Sequence, residues 1–273
     1  MKKQVLPGLK LSLGITLIYV ALIIALPLVA LVMKAAGLGL ADYWAIISAP
    51  RAVASYMVTA LCALTATIFN VFFGLALAWV LVRYEFPGRR LLDAIVDLPF
   101  ALPTAVAGIA ITTFLTKGWF YEGLLKPLNW QIAYTQLGII IAMAFTSLPF
   151  IVRTVQPVLE ELDPALEEAG QSLSGSDFEV FFRVLLPQLY PALLTGMALS
   201  FARGLGEYGA IIFISSNQPF KTEITALLIT IRLDEYEYGA AAAIASVLLI
   251  TALIMLVITN ILQSRASRYL VRS

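Results

Sequence analysis

The sequence predicts an all-α membrane protein with six transmembrane helices. Two observations carry that reading: 60% hydrophobic residues against 13% charged, and long uncharged runs spaced along the chain. A soluble domain carries roughly 25% charged residues. About half that proportion cannot wet a 273-residue globule, so the apolar excess faces lipid. The net charge of +1 lacks the basic stripe that nucleic-acid phosphates demand. Without histidine there is no HExxH zinc site, no Ser-His or Cys-His nucleophile pair and no histidine proton relay. The single cysteine, Cys62, allows no disulfide framework, and no GxxxxGK[ST] loop is present to cradle a nucleotide.

A membrane helix takes about 20 predominantly apolar residues. Runs that meet this place spans at about 11–33, 52–82, 98–116, 132–154, 187–214 and 238–264. The first exceeds the roughly 7–15 residues of a signal-peptide core and is read as a retained span. The third opens on Pro99 and Pro103, which leave carbonyls that neighbours or water must satisfy. Either these prolines simply kink the span or they shape the entrance of a pathway. Arg203 and Glu207 interrupt the fifth span, four residues apart and hence on one helical face. Gly206 lies beside them. Two readings stand: a pathway site for an anion, with Glu207 as the resting partner of Arg203, or a structural ion pair. Ser215–Pro219 and the amphipathic stretch 224–233 read as an external loop and an interfacial segment.

The positive-inside rule sets the orientation. With the N-terminus in the cytoplasm, that side holds eleven of the eighteen Lys and Arg residues, including Lys2, Lys3, Lys10, Arg265, Arg268 and Arg272. The other side holds six, and Arg203 is within a span. Both termini are therefore expected in the cytoplasm. No internal repeat or linker is evident, so residues 1–273 read as one membrane domain. Six spans without inverted halves suggest one half of a two-subunit pore rather than a complete secondary transporter.

The stretch 160–187, between the fourth and fifth spans, is the most informative. Asp163 is a good N-cap and Pro164 suits the first helical position. A short helix follows, with Leu166, Ala169, Gly170 and Leu173 along one face, and Gly175 breaks it. Ser176 opens a second helix, with Glu179 completing a capping box. Phe178, Phe181, Phe182 and Leu185 then form one stripe at helical spacing. A helix lying on the membrane surface would be rich in Lys and Arg. This loop instead carries Glu160, Glu161, Asp163, Glu167, Glu168, Asp177 and Glu179. Such a hairpin fits a protein groove, or packs under its own bundle.

Glu168-Ala169-Gly170, then Ser174-Gly175, then Val184-Leu185-Leu186-Pro187 resembles the EAA motif of bacterial ABC-importer permeases. Two departures stand out: Gly170 where alanine is usual, and Ser174 where the motif has glycine, with Gly175 one residue late. The resemblance implies a type I permease bundle in which this loop is the coupling helix. Glu168 and Ala169 would then lie at the ATPase docking surface, while Leu186 and Pro187 would fix how the second short helix enters the membrane.

Further stretches narrow the resemblance. Leu6-Pro7-Gly8, Asp97–Gly108, Ala142–Ser147, Arg153–Glu161 and Leu205–Ala210 are similar to the sulfate/thiosulfate branch, the CysT type, with the CysW and ModB types as relatives. By that resemblance the chain is a non-catalytic translocation subunit of an ATP-driven sulfate/thiosulfate importer in the bacterial inner membrane. It binds no cofactor itself. Its implied partners are a CysW-like permease, a CysA-like ATPase dimer that uses ATP, and a periplasmic sulfate-binding protein. A molybdate/tungstate permease of the same family is the alternative, and a secondary anion transporter stands further off.

Overall fold

Helix makes every regular element of the described residues. The computed structural model describes residues 9–118, 120–163 and 165–270. The Leu6-Pro7-Gly8 motif, Pro164, Lys2, Lys3 and Arg272, and the side chains of Lys10, Arg265 and Arg268, lie outside them. The chain opens with α1 (Leu9–Val20), a π-helical turn (Ala21–Ala25) and α2 (Leu26–Ala36). Together they provide a largely apolar stretch of 26 residues, Leu11–Ala36, and its most hydrophobic window has no buried residue. After the short α3 (Leu40–Ile47) comes α4 (Pro50–Arg83), with Pro50 at its N-terminal end and Arg83 in the last turn, where each suits a helix end.

The centre of the bundle is α4 against α8 (Gln136–Glu161), with α11 (Leu186–Leu205) packed on both. The buried face of α4 runs Ser55, Thr59, Cys62, Ala63, Ala66, Thr67, Asn70, Gly74 and Ala78. The spacing is helical and the side chains are small. Between lipid-embedded helices there is little hydrophobic drive, so close van der Waals packing and interhelical hydrogen bonds hold the contact. Asn70 supplies such bonds: its Nδ2 donates to the Ala144 carbonyl at 3.0 Å and to Ser147 Oγ at 2.9 Å. Interhelical bonds of this kind contribute about 0.6–2 kcal/mol each.

Two core layers stack along the bundle. One joins Val58, Cys62, Leu115, Ile139, Met143, Phe201 and Ile211. The other joins Ala78, Leu81, Val96, Ile151, Val155, Leu159 and Leu189.

Several expected spans differ from the helices that form. The third, 98–116, is not one helix. It follows α5 (Arg89–Val96) and divides into α6 (Leu98–Ala101) and α7 (Thr104–Thr116). Leu102 is extended because the residue before a proline is driven out of the α region, and Pro103 has no N–H to continue the ladder. The 13 residues of α7 rise about 20 Å, short of the roughly 30 Å hydrocarbon core. Among the described residues, five helices are long and apolar enough to cross a membrane, with α7 as a shorter apolar one.

The fourth span begins at Gln136 and runs to Glu161 instead of ending at 154. The fifth starts lower and stops sooner than 187–214. Its helix is continuous from α10 (Asp177–Val180) through a π-helical turn (Phe181–Leu185) and ends at Leu205, before the short α12 (Ile211–Ile214). Glu207 is thus beyond the helix that carries Arg203. The last helix, α14, spans Tyr238–Leu270. The stretch 224–233 forms α13 (Thr225–Asp234) and buries Leu227 and Leu228 within the bundle. Leu228 packs with Ala52 and Ile244, and Thr59 Oγ1 accepts the Thr225 N–H at 2.8 Å.

Candidate functional site: a capped hairpin and an ion pair at a helix break

The hairpin after α8 is held together by its own capping. Asp163 Oδ1 accepts the Ala165 N–H at 2.9 Å and starts α9 (Ala165–Ser172). At the other end the Gly175 N–H reaches the Gly170 carbonyl at 3.2 Å and the Ser174 N–H reaches Gln171 at 2.9 Å. This pair of bonds is a Schellman motif, in which the residue after the C-cap is left-handed. That residue is Ser174, at φ +63°, so the break comes from Ser174 and not from Gly175. The glycine usual in the motif is the residue best suited to this conformation.

Ser176 then caps α10. Its Oγ accepts the Glu179 N–H at 3.3 Å while Glu179 Oε2 accepts the Ser176 N–H at 3.1 Å, the expected capping box. Gly170 has its own reason: a Cβ there would sit 2.8 Å from Val180 Cγ2, closing the gap between the two short helices.

The hairpin is tied to the bundle by Arg83, whose guanidinium meets Glu167 at 2.5 Å and lies over the Trp79 ring. The edge of Phe181 packs on the same indole. The expected four-residue stripe therefore divides. Phe181 and Leu185 turn inward, whereas Phe178 is 71% exposed and Phe182 points outward. The π-helical turn at Phe181–Leu185 widens the helix locally and breaks the regular stripe. Glu168, Ala169 and Leu173 are exposed, while Leu186 and Pro187 are half-buried where α11 begins.

The second constellation is at the other end of α11. Arg203 Nη1 lies 2.6 Å from Glu207 Oε2, with Arg203 30% exposed and Glu207 1%. Glu207 Oε1 accepts the Ala210 N–H at 2.9 Å, so the carboxylate also fixes the loop that follows Gly206. That loop fits tightly against the start of α7. A Cβ on Gly209 would collide with Thr104 Oγ1, and one on Gly108 with the Ala210 backbone. Arg203, Gly206 and Glu207 are thus joined through Gly209–Ala210 to the helix that Pro103 opens. Pro99 is not with them: α6 packs on α8, where Phe100 meets Phe150 edge-on.

Sequence reading missed three polar features. Ser200, three residues before Arg203, has a buried hydroxyl with no hydrogen-bond partner among the described residues. Glu223, 1% exposed, makes a bidentate pair with Arg51 at 2.9 and 2.6 Å. Arg153 gathers Asp93 and Asp97. The one available signal was the i, i+4 spacing of the two aspartates.

Residues 70–268, which contain both constellations, match the family model described as binding-protein-dependent transport system inner membrane component. The chain belongs to this family. It is 54% identical to the sulfate transport system permease protein CysT of Escherichia coli (strain K12), over 98% of this chain and 97% of the relative. It is 48% identical to the CysT protein of Synechocystis sp., over 93% of this chain and 89% of the relative. Among solved structures, a chain of a bacterial alginate ABC transporter superposes with a TM-score of 0.75 at 18% identity, covering 94% of each chain. At that identity the match shows the shared fold. As a member of this family the chain is a multi-pass inner-membrane permease subunit of an ABC import system that works with a binding protein and an ATPase.

Proposed function

We propose that this chain is the CysT-like half of the translocation pore of an ATP-driven sulfate/thiosulfate importer. The observation that carries the proposal is the 54% identity to a sulfate permease over nearly the full length of both chains. The other half would be a CysW-like permease, with a CysA-like ATPase dimer on the cytoplasmic side and a sulfate-binding protein on the periplasmic side. This chain binds no cofactor; ATP is used by the ATPase.

The geometry suits the division of labour. Ala169, Leu173 and Phe178 are exposed apolar residues on a hairpin that also exposes Glu168, the chemistry of a segment that seats in a protein groove. Two ties lead away from it, the Arg83–Glu167 pair to α4 and the helix that runs from α10 through the π-helical turn into α11. Closure of the ATPase dimer would move the hairpin, and α11 would carry the displacement towards Arg203. In alternating access this opens the cavity outward for sulfate, and hydrolysis returns it inward.

Arg203 and Glu207 are the proposed pathway residues. A desolvated dianion competes with Glu207 for the half-exposed guanidinium, and the unpartnered Ser200 hydroxyl on the same helix face is a further donor. The chain would make its sixth crossing through α6 and α7. Val96 belongs to the core layer of the hairpin end and Leu115 to the opposite one, so the segment between them traverses the bundle. Both termini are then cytoplasmic.

The test is radiolabelled sulfate uptake into proteoliposomes containing the four-subunit complex, with ATP on the ATPase side and binding protein on the other. Uptake that needs both and resists excess molybdate supports the proposal. Molybdate-sensitive uptake changes the substrate, and uptake without ATP removes the importer reading.

A further inference from the structure

Between Gly88 and Pro103 the chain forms an arm with a joint at each end. Gly88 is left-handed at φ +92°, and Leu102 and Pro103 are extended, with ψ of 135° and 130°. Joints of this kind absorb the dihedral changes of a hinge. The arm itself, α5 with α6, has thin apolar anchorage. Val96 is the one residue that α5 and α6 bury, and Leu91, Ile95 and Phe100 are exposed.

What fastens the arm is Arg153 on α8. Its Nε and Nη2 grip the Asp97 carboxylate at 2.8 and 2.7 Å. Its Nη1 donates to Asp93 Oδ1 and to Gln156 Oε1, both at 2.6 Å, and Nη2 also reaches the Asp93 carbonyl at 2.9 Å. A guanidinium has five N–H donors, and all five are used. The aspartates it holds are nevertheless half in water, with Asp93 42% and Asp97 50% exposed. Breaking a buried pair strands a charge, whereas carboxylates at a wet edge regain hydration when released. The Arg51–Glu223 pair, with a fully buried carboxylate, has the character of a fixed strut. The Arg153 clamp has that of a latch.

Its position joins the moving parts. Arg153 is on the half of α8 that runs into the hairpin, and the arm it holds leads through Pro103 into α7, which abuts the Gly209–Ala210 loop fixed by Glu207. We infer that Arg153 is a positioning residue for transport: its clamp on Asp93 and Asp97 latches the α5–α6 arm across the hairpin end of the bundle, and must open and remake in each cycle. The inference rests on the importer reading above.

The test uses the complete transporter in proteoliposomes, with uptake and ATP hydrolysis measured together. In Arg153→Gln the arm is released, so uptake per ATP falls about tenfold, the scale of an ordinary coupling energy, while hydrolysis loses its dependence on binding protein. Arg153→Lys restores part of the coupling, since one charge returns without the fork. In a second variant the latch is locked with Arg153 in place. Asp93→Cys and Gln156→Cys, on a Cys62→Ala background, are joined by a reducible cross-linker; both native side chains contact the same Nη1. The linked complex loses uptake at least about tenfold and dithiothreitol restores it. A linked complex that transports at the unlinked rate overturns the latch, as does an Arg153→Gln complex whose uptake and hydrolysis fall in proportion. A wild-type complex without ATP-dependent uptake overturns the importer reading, and the latch with it.

Discussion

A charged side chain at membrane depth costs about 2.5–3.5 kcal/mol on insertion scales, and Arg203 recovers part of that through Glu207. Glu207→Gln leaves the guanidinium unpaired while keeping an oxygen for the Ala210 N–H. The purified subunit should lose on the order of 2 kcal/mol in a detergent melt, below the roughly 3–5 kcal/mol of a fully buried pair because Arg203 is partly wet. Removing both charges, in Arg203→Gln with Glu207→Gln, should return most of that stability. Sulfate uptake should stay lost in the double variant. Uptake that recovers together with stability would make the pair a structural strut only. Ser174 offers the opposite kind of change: its left-handed φ strains a residue with a Cβ. Ser174→Gly should stabilise the hairpin by about 1 kcal/mol, read as slower amide exchange over 170–176. Sequence reading placed the break at Gly175 because glycine is the usual punctuation, whereas the two carbonyls of the Schellman motif are what select position 174.

Helix boundaries show where composition stops being informative. The run 98–116 is uncharged throughout, so hydropathy gives no sign of the Leu102–Pro103 break; backbone sterics decide it. The 224–233 run has one apolar side at helical spacing, and periodicity cannot say whether that side meets lipid or α14. Capping was more legible, because the Ser176 and Glu179 pair is local and needs no partner from the rest of the fold. The contact between α7 and the loop after α11 could not be read at all, since it depends on where two glycines fall across a gap of about 100 residues. Gly209→Ala should push α7 away through Thr104 Oγ1 and cost about 1–3 kcal/mol, the usual penalty for overpacking. Thr104→Ala in the same chain removes the colliding oxygen and should restore at least half of the melting temperature lost. No recovery would mean that the two segments do not meet as described.

At the scale of the molecule, the bundle is pinned at both ends of α4, with Arg51 on Glu223 and Arg83 on Glu167. Five of the six expected apolar stretches and the capping of the second short helix in the 160–187 loop followed from composition and local spacing. The pins did not, because each joins residues far apart in sequence. What connects the ends is α8, a single helix of 26 residues and so about 39 Å long, more than the roughly 30 Å of bilayer hydrocarbon. At its start Gln136 donates to the Lys221 carbonyl at 2.8 Å; its last residue is Glu161, which leads into the hairpin. Exposed cysteines at 221 and 161 therefore report the two ends of one rod. On a Cys62→Ala background, an impermeant maleimide should label Lys221→Cys in right-side-out vesicles and Glu161→Cys in inside-out vesicles alone. The reversed pattern would put the hairpin on the wrong side for an ATPase. Labelling of both from one side would mean that α8 does not cross the membrane.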